Sequence, residues 1–201
     1  MPTLGGEGIA VAIFPRRIVA LCPLVIDNVC FYFSLMIINI TKGSDQDWIK
    51  IKRQDGSVEQ TTFPKKGTIP HDAVHYHVEQ VLAMRQGFWG MVADGTRPED
   101  IQHIAKEAGH ASSTRAATPK AQIIELLQAE RLVECFEADM WSESSDNQTL
   151  RDVFNAACQS SYIDPPALSD DQINTIRSSI SAFAKQWMAA EIGETFQLHW
   201  K

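Results

Sequence analysis

The stretch Met36–Phe63, MIINITKGSDQDWIKIKRQDGSVEQTTF, decides the fold. Met36 to Thr41 is rich in isoleucine, a residue that fits a pleated, half-buried surface. Trp48 to Arg53 alternates strictly, with Ile49 and Ile51 on one side and Lys50 and Lys52 on the other. Ser57 to Phe63 is the third run, rich in threonine. Lys42 to Gln46 separates the first two runs, and Gln54, Asp55 and Gly56 separate the last two. Alternation broken by Asp-Gly is a hairpin signal, so the three runs read as an antiparallel meander. Such a sheet has one apolar face and needs a cover.

The cover follows in the sequence. Pro70 opens a helix expected to reach about Gln86, with Gly87 as its left-handed stop. Val74, Val78, Val81 and Leu82 recur along it at helical spacing. Thr96 and Glu99 form a capping-box pattern before a short helix, 98–108. Thr118 and Pro119 open a longer helix to about Met140. Thr149 to Asp152 opens another, expected to carry Val153, Phe154 and Ala157 inward. Ser169 and Gln172 form a further capping box, and that helix is expected to reach about Ile192 before Gly193. The tail alternates again, with Phe196, Leu198 and Trp200 on one face, so it reads as a last strand able to join the sheet. The class is α+β: a three-stranded antiparallel meander and a C-terminal strand packed against about five helices.

Residues 36–201 read as a single domain, and residues 1–35 stand apart. They hold two basic residues, Arg16 and Arg17, and 18–35 are mostly apolar. A membrane span needs about 20 uninterrupted apolar residues, and Pro23, Asp27 and Asn28 interrupt this run. The leader is therefore expected to lie outside the fold, with Met36 as the natural start; a weak membrane anchor is the competing reading. The formal charge of −7 and the absence of a long Lys/Arg cluster argue against a nucleic-acid partner. Cys22, Cys30, Cys135 and Cys158 form no Cys-x-x-Cys pair, and a cytoplasmic location is expected.

The chemistry concentrates at Ile69–Glu79, which holds three of the six histidines and two acids. On a helix begun at Pro70, His71 and His75 are four apart and project from one face, the spacing by which two imidazoles share a divalent ion such as zinc. Asp72 follows the first histidine, where a zincin carries its glutamate base. Glu79 is too far from His71 to share its ion, but can hydrogen-bond His75 and fix its tautomer. With Ile69 as N-cap, Asp72 would sit at the third helical position and serve the helix start. His77 points to the other flank and reads as a solvent residue. A further ligand must come from another element: His103 and Glu107 of the short helix are the first candidates, and Glu130, Glu134 and Glu137 of the long helix come after them. Phe88 and Trp89, between Gly87 and Gly90, could line a pocket beside the histidines or pack on the preceding turn.

The block from Phe63 through Pro70, His71, Asp72, His75 and Glu79 to the Gly-Phe-Trp-Gly of 87–90 resembles one found in a family of small bacterial proteins. The resemblance covers about residues 36–95 and implies a β-meander closed by Pro-His-Asp-x-x-His-x-x-x-Glu at the start of a helix. It implies no activity. Two functions follow from the residues. One is a non-enzymatic interaction or homo-oligomeric module, with a protein partner or a second copy as its contact. The other is a metal-binding protein or metal-dependent hydrolase built on His71 and His75, with Asp72 as ligand, orienter or base.

Overall fold

The computed structural model describes residues 25–26, 29–30, 36–65, 67–107, 121–142 and 145–201, without the side chains of 25–26, 29–30, 102 and 105–107. The chain divides into two compact units, Met1–Phe33 and Ser34–Lys201. Of the first, a short antiparallel ladder is described, Val25–Ile26 against Val29–Cys30. The expected leader, and the start of a long helix at Thr118 and Pro119, otherwise lie outside the described residues. Among the described residues no helix is long and apolar enough to cross a membrane.

The second unit is α+β. Its strands are β1 (Met36–Thr41), β2 (Gln46–Arg53), β3 (Val58–Pro64) and β4 (Thr195–Trp200), in the sheet order β3-β2-β1-β4, antiparallel throughout. The alternation read from the sequence is the observed pleat. Met36, Ile38, Ile40, Ile49 and Ile51 are buried on one face, while Lys50 and Lys52 are exposed on the other. Gly56, at φ 85°, supplies the left-handed residue of the β2–β3 turn, and Asp55 accepts the Ser57 N–H across it. The C-terminal strand pairs with β1, Met36 opposite Trp200 and Thr41 opposite Thr195.

The cover consists of α1 (His71–Leu82), α2 (Phe88–Ala93), α3 (Pro98–Glu107), α4 (Ile124–Ser142), α5 (Asn147–Ser160) and α6 (Asp170–Ala189), with a 3₁₀ turn, Ala121–Ile123, before α4. Helix α1 packs on α4 and α6, and also against α2. Two basic side chains tie sheet to helices. Arg53 donates to the Val92 and Thr96 carbonyls and pairs with Glu59. Lys42 donates to the carbonyls of Trp187 and Ala190 at the end of α6. Arg177 of α6 holds Asp139 of α4 through two nitrogens and also reaches Asn147.

Several boundaries differ from the sequence reading. Helix α1 ends at Leu82, and the left-handed residue is Ala83 at φ 53°, not Gly87. Gly87 is extended and starts α2, a helix whose six residues are too few to show periodicity. The N-cap of α1 is Pro70 rather than Ile69, which places Asp72 second rather than third in the helix. Helix α5 is capped by Asp146, whose carboxylate accepts from Gln148 and Thr149, so it begins ahead of Thr149. Val153 faces outward at 51% exposure, while Leu150, Phe154 and Cys158 face the core. The capping box of Ser169 and Gln172 is present, but α6 stops at Ala189 rather than Ile192.

Candidate metal centre

The site is built from α1 and α4. His71 and His75 leave successive turns of α1 with their rings edge-to-face, centroids 4.8 Å apart. Glu130, nearly two turns into α4, brings its carboxylate to both of them. Its Oε1 lies 3.5 Å from His75 Nε2, and its Oε2 lies 3.7 Å from His71 Nε2. One ligand atom from each of the three residues falls within a 4.8 Å span.

The opposite nitrogens are also held by carboxylates. His75 Nδ1 is 2.9 Å from Glu79 Oε1, and His71 Nδ1 is 2.9 Å from Glu137 Oε1, about two turns along the same face of α4 from Glu130. Each imidazole is thus fixed through Nδ1 by a carboxylate and turns Nε2 toward the same third carboxylate. Carboxylates in that position set ring orientation and tautomer in metal-bound histidines.

Glu79 is itself fixed. Its Oε1 accepts from the Phe88 N–H at 3.0 Å, and its Oε2 from the Trp89 N–H at 2.8 Å and the Gly90 N–H at 3.4 Å. Both oxygens therefore accept at the opening of α2, an environment that favours the ionised carboxylate and the His75 tautomer with its proton on Nδ1. Gly87 is required by proximity rather than by backbone angle: a Cβ there would lie 2.6 Å from the Glu79 carboxylate. A Cβ on Gly90 would lie 2.3 Å from the Arg85 carbonyl. The Trp89 indole is fully buried and donates to the Asp72 carbonyl at 2.8 Å, so it supports α1 from behind.

Electrostatics follow from this crowding of acids. Burial disfavours the charged form of His71, but hydrogen bonds to Glu130 and Glu137 outweigh it and hold its pKa at about 9. Burial acts likewise on His75, and Glu130 and Glu79 raise it to about 10. Burial pushes the Glu130 carboxyl upward, but the two histidines hold it far below the usual carboxylate range. Asp72, also buried, is pushed up by desolvation and only partly pulled back by His75 and His71. Burial raises Glu79 too, against His75 and the amides of Trp89 and Gly90. Four carboxyls thus surround two imidazoles, an arrangement that favours positive charge between them.

His71, His75 and Glu130 line a cavity of about 440 Å³, together with Asp72 and Phe88. His75 is buried, as is the Glu79 that holds it, while the side chains of His71 and Glu130 keep 27% and 34% exposure.

The sequence-derived residues divide accordingly. His71 and His75 converge, Glu79 orients His75, and Asp72 and Phe88 line the cavity. His103 is exposed on α3 and is not in the three-residue cluster; the third donor comes from α4 instead. The side chain of Glu107 lies outside the described residues. Trp89 is packed behind α1 and is not among the lining residues. His77, read as a solvent residue, packs against Phe183 at 5.6 Å between centroids, and burial lowers its pKa to about 4. Glu130 and Glu137, later candidates in the sequence, are the decisive acids. Their four-and-three spacing on an apolar helix was the available signal, with Glu134, the third acid of that run, exposed.

No protein-family model, curated protein or solved structure matches the chain.

Proposed function

We propose that the protein binds a divalent transition-metal ion through His71 Nε2, His75 Nε2 and the Glu130 carboxylate. The observation that carries this reading is the doubled arrangement of the histidines, each held at Nδ1 by its own carboxylate and aimed at a shared acid by Nε2. The donor set fits. Two imidazoles and a carboxylate suit zinc, manganese or iron. Metal–donor bonds of about 2.1 Å in a tetrahedral site place donors about 3.4 Å apart; the two Nε2–carboxylate separations, 3.5 and 3.7 Å, are already close to that, and the full 4.8 Å span would contract by a shift of His71 or Glu130, the two partly exposed members.

Three protein ligands leave positions open toward the cavity. A divalent ion bound there supplies Lewis acidity and a water acidified to near neutrality, the requirement of a metal-dependent hydrolase. In this reading Glu79 and Glu137 position the histidines. Asp72, buried beside them and lining the same cavity, is the carboxyl that would accept the proton of such a water.

The test uses the full chain purified without a histidine tag. About one equivalent of zinc or manganese is expected, absent from the His71→Ala/His75→Ala variant and sharply reduced in Glu130→Ala. At a free ion concentration of 100 Kd the ion contributes about 2.7 kcal/mol, a rise in melting temperature of about 5–10 °C for a chain of this size. Wild-type protein that retains no more metal than the double variant, and melts at the same temperature with and without the ion, would exclude the centre.

A further inference from the structure

The sheet face opposite the buried isoleucines carries a second set of binding groups, and strand register fixes its layout. Side chains of one pleat stand side by side across paired strands. Thr62, Trp48, Thr41 and Thr195 therefore form one row across β3, β2, β1 and β4. Gln60, Lys50, Asn39 and Gln197 form the next, and Val58, Lys52, Ile37 and His199 the one after. Neighbours in a row lie about 4.8 Å apart, and successive rows about 6.8 Å apart along a strand. Bonds across the face agree with this layout. The hydroxyls of Thr41 and Thr195 meet at 2.8 Å, and Gln197 Nε2 donates to Asn39 Oδ1 at 3.1 Å. His199 Nε2 lies 3.1 Å from Gln197 Oε1.

The charge of these rows is opposite to that of the chain. The chain holds 25 acids against 18 bases, yet none of the positions in the rows is an acid. Lys50 and Lys52 are exposed, and among the described residues neither ammonium has a partner. Trp48, beside them on β2, is 45% exposed. Around these three the rows are rich in hydroxyls and primary amides, groups that both donate and accept. The core of a protein interface is instead apolar and poor in lysine. A nucleic acid is held through many phosphate contacts, which two lysines on a chain of net charge −7 do not supply. A sugar ring matches the rows: its C–H face lies flat on an indole, and its hydroxyls donate and accept.

We propose that this face binds an acidic oligosaccharide, a chain of hexuronates. One ring stacks on Trp48, carboxylates pair with Lys50 and Lys52, and hydroxyls meet the amides of Gln60, Asn39 and Gln197. The surface does not depend on the metal centre.

The test titrates hexagalacturonate and hexamannuronate, which differ in ring stereochemistry, into the full chain by calorimetry. Maltohexaose is the neutral control and hexathymidylate the nucleic-acid control. At least one uronate is expected to bind about fivefold or more tighter than maltohexaose, the sum of two exposed ion pairs, and to weaken as salt is raised. Hexathymidylate is expected to bind more weakly than that uronate. Trp48→Ala is expected to lose at least about tenfold in affinity through the lost ring contact, while Trp141→Ala, at another exposed indole, loses nothing. Asn39→Asp keeps the acceptor for Gln197 and sets an acid in the middle row, so it is expected to weaken the uronate and leave maltohexaose unchanged. It serves also should Trp48→Ala not fold. The proposal is overturned if neither uronate binds at millimolar concentration. It is overturned equally if maltohexaose or hexathymidylate binds as tightly, or if Trp48→Ala and Asn39→Asp both keep the wild-type affinity.

Discussion

Glu79 has no exposure, yet its two oxygens meet three backbone N–H groups and His75. Any replacement must therefore leave buried donors unpaired or set an amide nitrogen against them. Glu79→Gln keeps the volume and turns one oxygen into a donor that faces donors, at an expected cost of about 2–3 kcal/mol. Gly87→Ala attacks the same contact from the other side, since its Cβ would stand 2.6 Å from that carboxylate, and about 2 kcal/mol is expected. The two losses share one contact and should not add. A double-mutant cycle by urea denaturation is expected to give a coupling of at least about 1 kcal/mol. Additive losses would mean that Gly87 is there for some other reason. At this scale the sequence was informative where groups are close along the chain. The four-residue spacings of His71, His75 and Glu79 place them correctly on one helix. Glu130 was ambiguous because an acid on a long helix looks solvated until the partner helix that faces it is known. Gly87 was misread because a glycine's sequence position does not say whether it serves a dihedral or a close approach.

Helices α4 and α5 pack together through residues that include two thiols. Cys135 and Cys158 are free and buried, and desolvation raises them from 9.0 to about 11 and about 12 respectively. Glu134 adds to the rise at Cys135, while Arg131 opposes it at both. The sign follows from linkage. A thiol whose folded pKa lies above its unfolded value favours the native state fully below pH 9, and that advantage is lost as pH rises toward 11–12. The urea midpoint of the wild type is therefore expected to fall between pH 8 and pH 10 more steeply than that of the Cys135→Ala/Cys158→Ala variant. Equal slopes would show that the thiols ionise as readily inside as outside. Native alkylation at pH 8 should likewise leave both peptides unmodified. The periodicity of α5 carries Cys158 inward, because Leu150, Phe154 and Cys158 recur every four residues and all face the core. The sequence reading failed at Val153, where hydrophobicity suggested burial but the angle around α5 points outward. Element starts followed the same logic. The Ser169 capping box is self-contained within four residues, whereas at α5 the pattern from Thr149 to Asp152 pointed to a later start than the Asp146 cap that the fold uses.

For the whole unit, the decisive feature is that the last strand closes the sheet against the first. β4 covers the open edge of β1 along six residue pairs. Trp200 is 1% exposed against the Tyr76 ring, and the Tyr76 hydroxyl donates to the His199 carbonyl at 3.0 Å, so β4 also fastens α1, the helix that carries both histidines. The alternation of Phe196, Leu198 and Trp200 marked a strand in the sequence, but a period of two names a face and not a neighbour. The pairing with β1 rather than β3 was settled by packing over a separation the sequence pattern does not span. Trp200→Ala is expected to cost about 3–5 kcal/mol through the lost indole and the void it leaves. Removal of residues 194–201 should be worse in kind, because it bares the whole length of β1 as an unpaired edge and uncovers Ile38 and Ile40 beside it. The shortened chain is expected to lose its cooperative melting transition and to form multimers by light scattering. A shortened chain that stays monomeric and melts within a few degrees of the intact protein would show instead that β1 is protected without β4, and that the histidine helix does not depend on the strand that closes the sheet.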